Sequence, residues 1–327
     1  MSIMKRLNHI DAMRAFSMFL IVYSHLVHYG LQQNISLFNR WTETFFVPLF
    51  FFISGFVSYK VKDSISWSSF LKKNGSRFRV LVLSPLVFLA GFCLYRQQDY
   101  WSALGDPLKN GYWFTIVLFQ ISMLVSIVFW VGNRCNDCLL AILSIILMMG
   151  GVFVISKYNS ISDHPNFTDY GSWMYVTYYY VFYIIGLFVH KYERLVLGAI
   201  NKRLVCCIVF IMAFVPLSKN SAVNYLPITA RVLAVYYVFN ALQGFFENGG
   251  VIVRSILYAG RHTLEIYIIH YFLLFRCNEL VPVFNGRPLI EFLVFSLLSV
   301  LIMAVCLLLR KILGTFKPVS SILFGKG

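Results

Sequence analysis

Charge is scarce in this chain, and acid is scarcer than base. Of 327 residues only 13% are charged, with 13 Asp and Glu against 28 Lys and Arg. A soluble domain carries about a quarter charged residues. That shortage excludes most soluble enzymes, disordered chains and secreted disulfide scaffolds. No linker, repeat or low-complexity tract interrupts the sequence, so residues 1–327 are expected to form a single integral-membrane domain with no separate soluble domain. A glycine-rich phosphate loop after a strand, a zinc-protease helix signature and a nucleophile elbow are all missing. Seven cysteines are present, and Cys135-Asn-Asp-Cys138 has the spacing of a ligand pair. No second pair follows, so neither a zinc site nor a disulfide framework is expected, and no metal.

Apolar residues fill the space: 59% of the chain is hydrophobic. They run in stretches of about 20 residues, the length that crosses a bilayer as a helix. Strands of a membrane barrel are shorter and alternate apolar with polar, which these do not. The expected fold is an all-α polytopic membrane protein with about ten transmembrane helices. The spans are Asp11–Tyr29, Thr42–Ser58, Val80–Tyr95, Tyr112–Val131, Leu139–Ser156, Trp173–His190, Leu204–Leu217, Arg231–Phe246, Tyr258–Phe275 and Ile290–Leu309. Pro216 makes the seventh a candidate for a kink or an early end. Lys157–Ser172, the longest polar stretch, reads as a loop. Lys5 and Arg6 ahead of the first apolar run resemble a secretory signal, but Asp11 and Arg14 interrupt that run and no cleavage site follows.

With the N-terminus inside, the inner segments hold 18 Lys and Arg and the outer ones eight. The bias expects both termini in the cytoplasm. The net charge of +15 is read as this orientation signal and as contact with anionic lipids, not nucleic-acid binding.

Ionisable groups inside apolar spans are costly and mark function or a partner. The first span carries Arg14 and His25, eleven residues apart. Eleven helical steps rise about 16 Å and return to within about 20° of the same face. Asp11 and Arg14 are spaced to pair across one turn. His28, one turn past His25, lies near the surface. The ninth span carries His262, Glu265 and His270. It runs outward as the first does, and His25 and His270 reach depths that match within about one turn. His262 and Glu265 are spaced to pair. Packing alone also accounts for such groups. Lys72, Lys73, Arg77 and Arg79 follow the second span; they are open to two readings, topology or a phosphate-bearing substrate. Ser54 and Gly55 permit close helix contact. His164 and Asp169 lie in an outer loop beside tyrosines and are placed either to meet a sugar or simply to face solvent.

These residues resemble a known family. Arg14, ten intervening residues and His25 match the N-terminal motif of the integral-membrane acyltransferase 3 family, which includes bacterial O-acetyltransferases of surface polysaccharides. Phe50–Phe56, ending Ile53-Ser54-Gly55-Phe56, is similar to its second-helix pattern. Trp113-Phe114 is similar to its fourth-helix motif. Gly260, Thr263, Leu264, Ile266, Tyr267 and His270 match its late motif. The resemblance implies acyl transfer from cytoplasmic acetyl-CoA, as co-substrate, to a hydroxyl of a lipid-linked or surface glycan, in the bacterial cytoplasmic membrane. In that reading His25 takes the hydroxyl proton as base or else carries the acyl group itself, His270 assists at the acceptor end, and Glu265 or Asp11 orients an Arg or His. Arg14 holds a donor phosphate, with Arg77 or Arg79 adding contacts. Some relatives are assigned to polysaccharide export, so a carrier or flippase for a glycan or small metabolite is the competing expectation.

Overall fold

The computed structural model describes residues 7–31, 37–59, 67–131, 137–161, 167–193, 202–215, 217, 224–284 and 286–315. All regular structure among them is helical. Six helices are long and apolar enough to cross a membrane, or seven if one bent pair counts as a span. The chain is therefore a polytopic, all-α membrane protein. Three further helices, Asp137–Ile161, Lys202–Ala213 and Tyr225–Ala241, overlap the remaining expected spans. Both chain ends, Cys135, His164 and Pro216 lie outside the described residues.

Two compact units can be distinguished, Met1–Phe56 with Ile185–Ile312, and Val57–Ile184 with Leu313–Gly327. In the first unit the opening helix, Asn8–Leu31, is buried along most of its length. It lies beside the helix Val251–Arg261, and Ala12, Phe246, Val253 and Leu257 form a common core. The approach is close enough to need glycine. A Cβ on Gly260 would fall 1.8 Å from the Asp11 carbonyl oxygen, and one on Gly186 would fall 1.9 Å from that of Phe52. Small residues let helix backbones meet where hydrocarbon supplies no hydrophobic drive.

The ninth expected span is not one helix. Val251–Arg261 ends at His262, with φ −119° and ψ 26°. A short helix restarts over Thr263–Ile269 and tightens into a 3₁₀ turn, His270–Leu273. Thr263–Leu273 and Asn278–Phe284 are then bent by 85°. Arg261, His262, Thr263 and Glu265 cluster at this break, but polar residues within a span do not by themselves mark a helix end. The seventh helix ends at Ala213. There Arg231, itself buried, donates to the carbonyls of Ala213 (2.8 Å) and Val215 (2.9 Å) and to the Thr44 hydroxyl (2.6 Å). A guanidinium thus serves carbonyls at a helix C-terminus.

In the second unit the basic residues before the third span are not in a loop. Trp67–Phe78 is helical and continues through a π-helical stretch, Arg79–Leu83, into Ser84–Arg96. Pro85 has no N–H and its ring crowds the carbonyl four residues back. The wider π turn accommodates it without ending the helix. Lys72, Lys73, Arg77 and Arg79 therefore stand on this helix, and Arg77 donates to the Ser126 hydroxyl at 3.3 Å. The segment read as a loop, Lys157–Ser172, is also partly helical, since Asp137–Ile161 extends into it and Phe167–Gly171 follows.

Candidate active site

The first helix and the broken helix beside it touch at two levels. One level is the Gly260 contact with Asp11. The other is His25 against His270, with Nδ1 of His25 2.9 Å from Nε2 of His270. The rings are nearly parallel, 8° apart, with centroids at 5.2 Å. Tyr271 packs on both, at 5.2 Å from His25 and 4.1 Å from His270. From the Asp11–Gly260 contact, His25 lies 14 residues along one helix and His270 ten along the other, about 21 and 15 Å of ideal helix, so equal rise alone does not account for this second meeting.

The protons of this pair can be placed. Nδ1 of His270 lies 3.1 Å from the carbonyl oxygen of Ile266. A carbonyl only accepts, so Nδ1 of His270 carries a proton. In a neutral imidazole the other nitrogen is then a bare acceptor. Nε2 of His270 accepts, and Nδ1–H of His25 donates to it. That leaves Nε2 of His25 as the lone pair not used within the dyad. His270 is completely buried, whereas His25 is partly exposed. A basic nitrogen held in one tautomer beside an accessible face can take a proton from a hydroxyl.

The preceding residue, Ser24, donates to Oε1 of Glu43 at 2.8 Å, and Asn39 donates to the same oxygen at 2.8 Å. This ties the helix face next to His25 to the segment Leu37–Glu43. Nothing in the hydropathy or the motifs pointed to Glu43; only the contact reveals it.

At the other level, Arg14 Nη1 is 3.4 Å from Asp11 Oδ1, and Arg261 Nε is 3.3 Å from Asp11 Oδ2. Glu265 lies 3.1 Å from His262 and 3.7 Å from Arg310. The spacings anticipated the Asp11–Arg14 and His262–Glu265 pairs. Arg261 and Arg310 were visible only as cations at helix ends. Arg77 and Arg79 belong to the second unit, Arg77 half-buried and Arg79 exposed. Among the described residues no three His, Cys, Asp or Glu side chains gather as metal ligands.

In the second unit Lys109 is buried, a cation that sequence reading counted only for topology. Its ammonium donates to the Asp106 carbonyl (3.1 Å), the Asp169 carbonyl (2.8 Å) and the Ser172 hydroxyl (3.1 Å). Burial lowers its pKa to about 8, opposed by the Asp106 and Asp169 carboxylates.

The described residues thus form a membrane-embedded helical bundle with an imidazole pair and ion-paired arginines. A family model described as an acyltransferase domain matches residues 7–311. The chain belongs to that family, the membrane acyltransferases of the acyltransferase 3 type. Membership supports acyl transfer as its general chemistry. No curated protein and no solved structure matches it.

Proposed function

We propose that this protein is an O-acetyltransferase of the bacterial cytoplasmic membrane. It moves an acetyl group from cytoplasmic acetyl-CoA to a hydroxyl of a lipid-linked or cell-surface polysaccharide. The single observation that carries the reading is the contact geometry of the His25–His270 pair and the Ile266 carbonyl, from which the tautomer of a neutral pair is assigned with Nε2 of His25 as the base. The acceptor hydroxyl gives its proton to that nitrogen as its oxygen attacks the thioester carbon. The new C–O bond forms, the C–S bond breaks, and the proton passes on to the departing thiolate. Such general-base help contributes about 10²–10⁴-fold. His270 acts through His25 rather than on the acceptor, holding the tautomer as an orienting partner does in a catalytic triad.

Arg14 anchors a donor phosphate at the cytoplasmic end of the first helix, a task suited to a guanidinium fork. The rise of about 16 Å from Arg14 to His25 is comparable to the reach of an extended pantetheine arm. Arg77 or Arg79 adds cationic contact for donor phosphates or anionic lipid. Glu265 serves by orienting His262 and Arg310. The membrane map that goes with this reading is ten spans with both termini in the cytoplasm, favoured by the excess of Lys and Arg in the inner segments.

Two measurements test the proposal. Cells with the gene deleted and then restored are scored for glycan O-acetylation, with total glycan export followed in parallel. Loss and return of acetyl groups at constant export is the expected result; altered export with unchanged acetylation would overturn it. Reporter fusions at Gly327 and within Asp163–Ser172 should give cytoplasm and exterior respectively, and an exterior C-terminus would discard the map.

A further inference from the structure

Beside Arg14 of the motif match, two further arginines, Arg261 and Arg310, meet the buried acids of this helix pair. Arg14 and Arg261 flank one carboxylate, each on its own oxygen, at 3.4 and 3.3 Å. Arg310 approaches the next acid, Glu265, at 3.7 Å through Nε, and its Nη1 donates to the Tyr258 hydroxyl at 3.3 Å. The ring of Tyr258 in turn lies 4.6 Å from that of His262, the other partner of Glu265. Arg261 and His262 are neighbours at the helix break, so the two acid-centred groups join there.

The layering is directional. The Asp11 and Glu265 side chains are 3% and 5% exposed, whereas Arg14, Arg261 and Arg310 are 27%, 39% and 25% exposed. Acids lie inside and guanidiniums face outward. Among the contacts described, three guanidiniums meet two carboxylates. A guanidinium has five N–H donors in a rigid fork. The contact with Asp11 occupies Nε of Arg261, and its two terminal nitrogens remain to meet another acceptor. Buried carboxylates thus fix the forks in advance, which lowers the ordering cost of binding an oxygen-rich anion.

We infer that Arg14, Arg261 and Arg310 form one phosphate-binding site, and that its ligand is the phosphate-bearing end of the acyl donor. The inference rests on the acetyl-CoA reading above and deepens it. Fixed forks distinguish this site from surface lysines that attract lipid headgroups as mobile point charges. Two of its members, Arg14 and Arg261, stand on the first helix and the broken helix that carry His25 and His270, and the third, Arg310, comes from the last helix, Pro288–Leu313.

The test uses the full-length protein in phosphatidylcholine nanodiscs, with CoA binding followed by calorimetry. Arg261→Gln and Arg310→Gln should each weaken CoA about tenfold or more, as expected for loss of a charge-assisted hydrogen bond. Arg261→Lys and Arg310→Lys, which keep charge and inner packing, should recover only part of that loss. Arg254→Gln, exposed on the same helix, should bind CoA as wild type does. Should the wild type bind CoA and all four Arg261 and Arg310 variants match it within twofold, this inference falls while the donor reading stands. A wild type that binds no CoA overturns both. Nanodiscs containing phosphatidylglycerol separate the sources: variants that lose only a phosphatidylglycerol effect, with CoA binding intact, make the patch a lipid site and overturn the assignment.

Discussion

The two ends of one helix pair hold their polar groups by opposite means. Near Asp11 the pair is joined by full charges, with arginines on a buried carboxylate and backbones so close that only glycine fits. Near His25 it is joined by one hydrogen bond between imidazoles, directed by a carbonyl. Full charges hold an anion over a wide pH range, because guanidinium does not lose its proton. A neutral imidazole pair can pass a proton but would hold an anion poorly. In the function proposed above, binding and chemistry fall at different depths of the same framework.

The largest effect should come from the imidazole end. His25→Gln keeps a hydrogen-bonding group but cannot cycle a proton near neutral pH. Its transfer rate at saturating donor should fall about 10²–10⁴-fold, with CoA affinity preserved. Near-wild-type transfer at matched expression would remove the general-base assignment. Arg14→Ala should do the reverse, weakening CoA about tenfold or more while the rate at saturation changes less. If both variants alter the same parameter, the division between the ends is wrong.

His270 sharpens the contrast. His270→Ala removes the acceptor that fixes the tautomer of His25, and transfer should drop about 10–10²-fold. His270→Gln offers an amide oxygen to Nδ1–H of His25 and should recover part of the rate. Equal loss in both variants would make His270 a packing residue instead. At the Asp11 end, Gly260→Ala places a methyl on a backbone carbonyl and should cost about 1–3 kcal/mol, read as a lower melting temperature of the purified protein. Gly75→Ala, where a Cβ meets nothing within 4 Å, is the matched control and should be neutral or stabilising by about 0.5–1 kcal/mol.

Lys109 extends the comparison to a cation held by neutral oxygens. Its pKa falls from 10.5 to about 8 by burial. Between pH 8 and 10.5 the unfolded chain therefore binds more protons at this group than the folded one, and stability from Lys109 rises with pH across that window. The melting temperature of wild type relative to Lys109→Met should climb as pH goes from 7.5 to 10. A flat difference would mean that the ammonium is not desolvated in its loop.

The sequence matched the depths of His25 and His270 within about one turn by residue count, though only the structure shows that the two rings meet. It also found the Asp11–Arg14 and His262–Glu265 pairs, which are local. It missed what depends on distant approach. Arg310 was read as an orientation signal and Arg261 only as a residue at a span end, since nothing local tells which carboxylate they meet. Arg231 was an outer cation until its helix packed and brought three oxygen acceptors to it. The break at His262 and the π turn before Pro85 were hidden for another reason. Composition records a residue's solvent, whereas a kink is set by backbone bonding, which composition does not report.

One oxygen has a double duty. The carbonyl of Ile266 accepts the backbone N–H of His270 and also its ring Nδ1–H. Secondary structure and protonation state therefore share a single acceptor. Fraying of that last turn frees the His270 ring to carry its proton on Nε2, which takes away the acceptor for Nδ1–H of His25. The base is extinguished while every other helix is still formed. Heat should thus silence the enzyme before it melts the bundle, and the gap between those two temperatures gauges the strength of one helical turn.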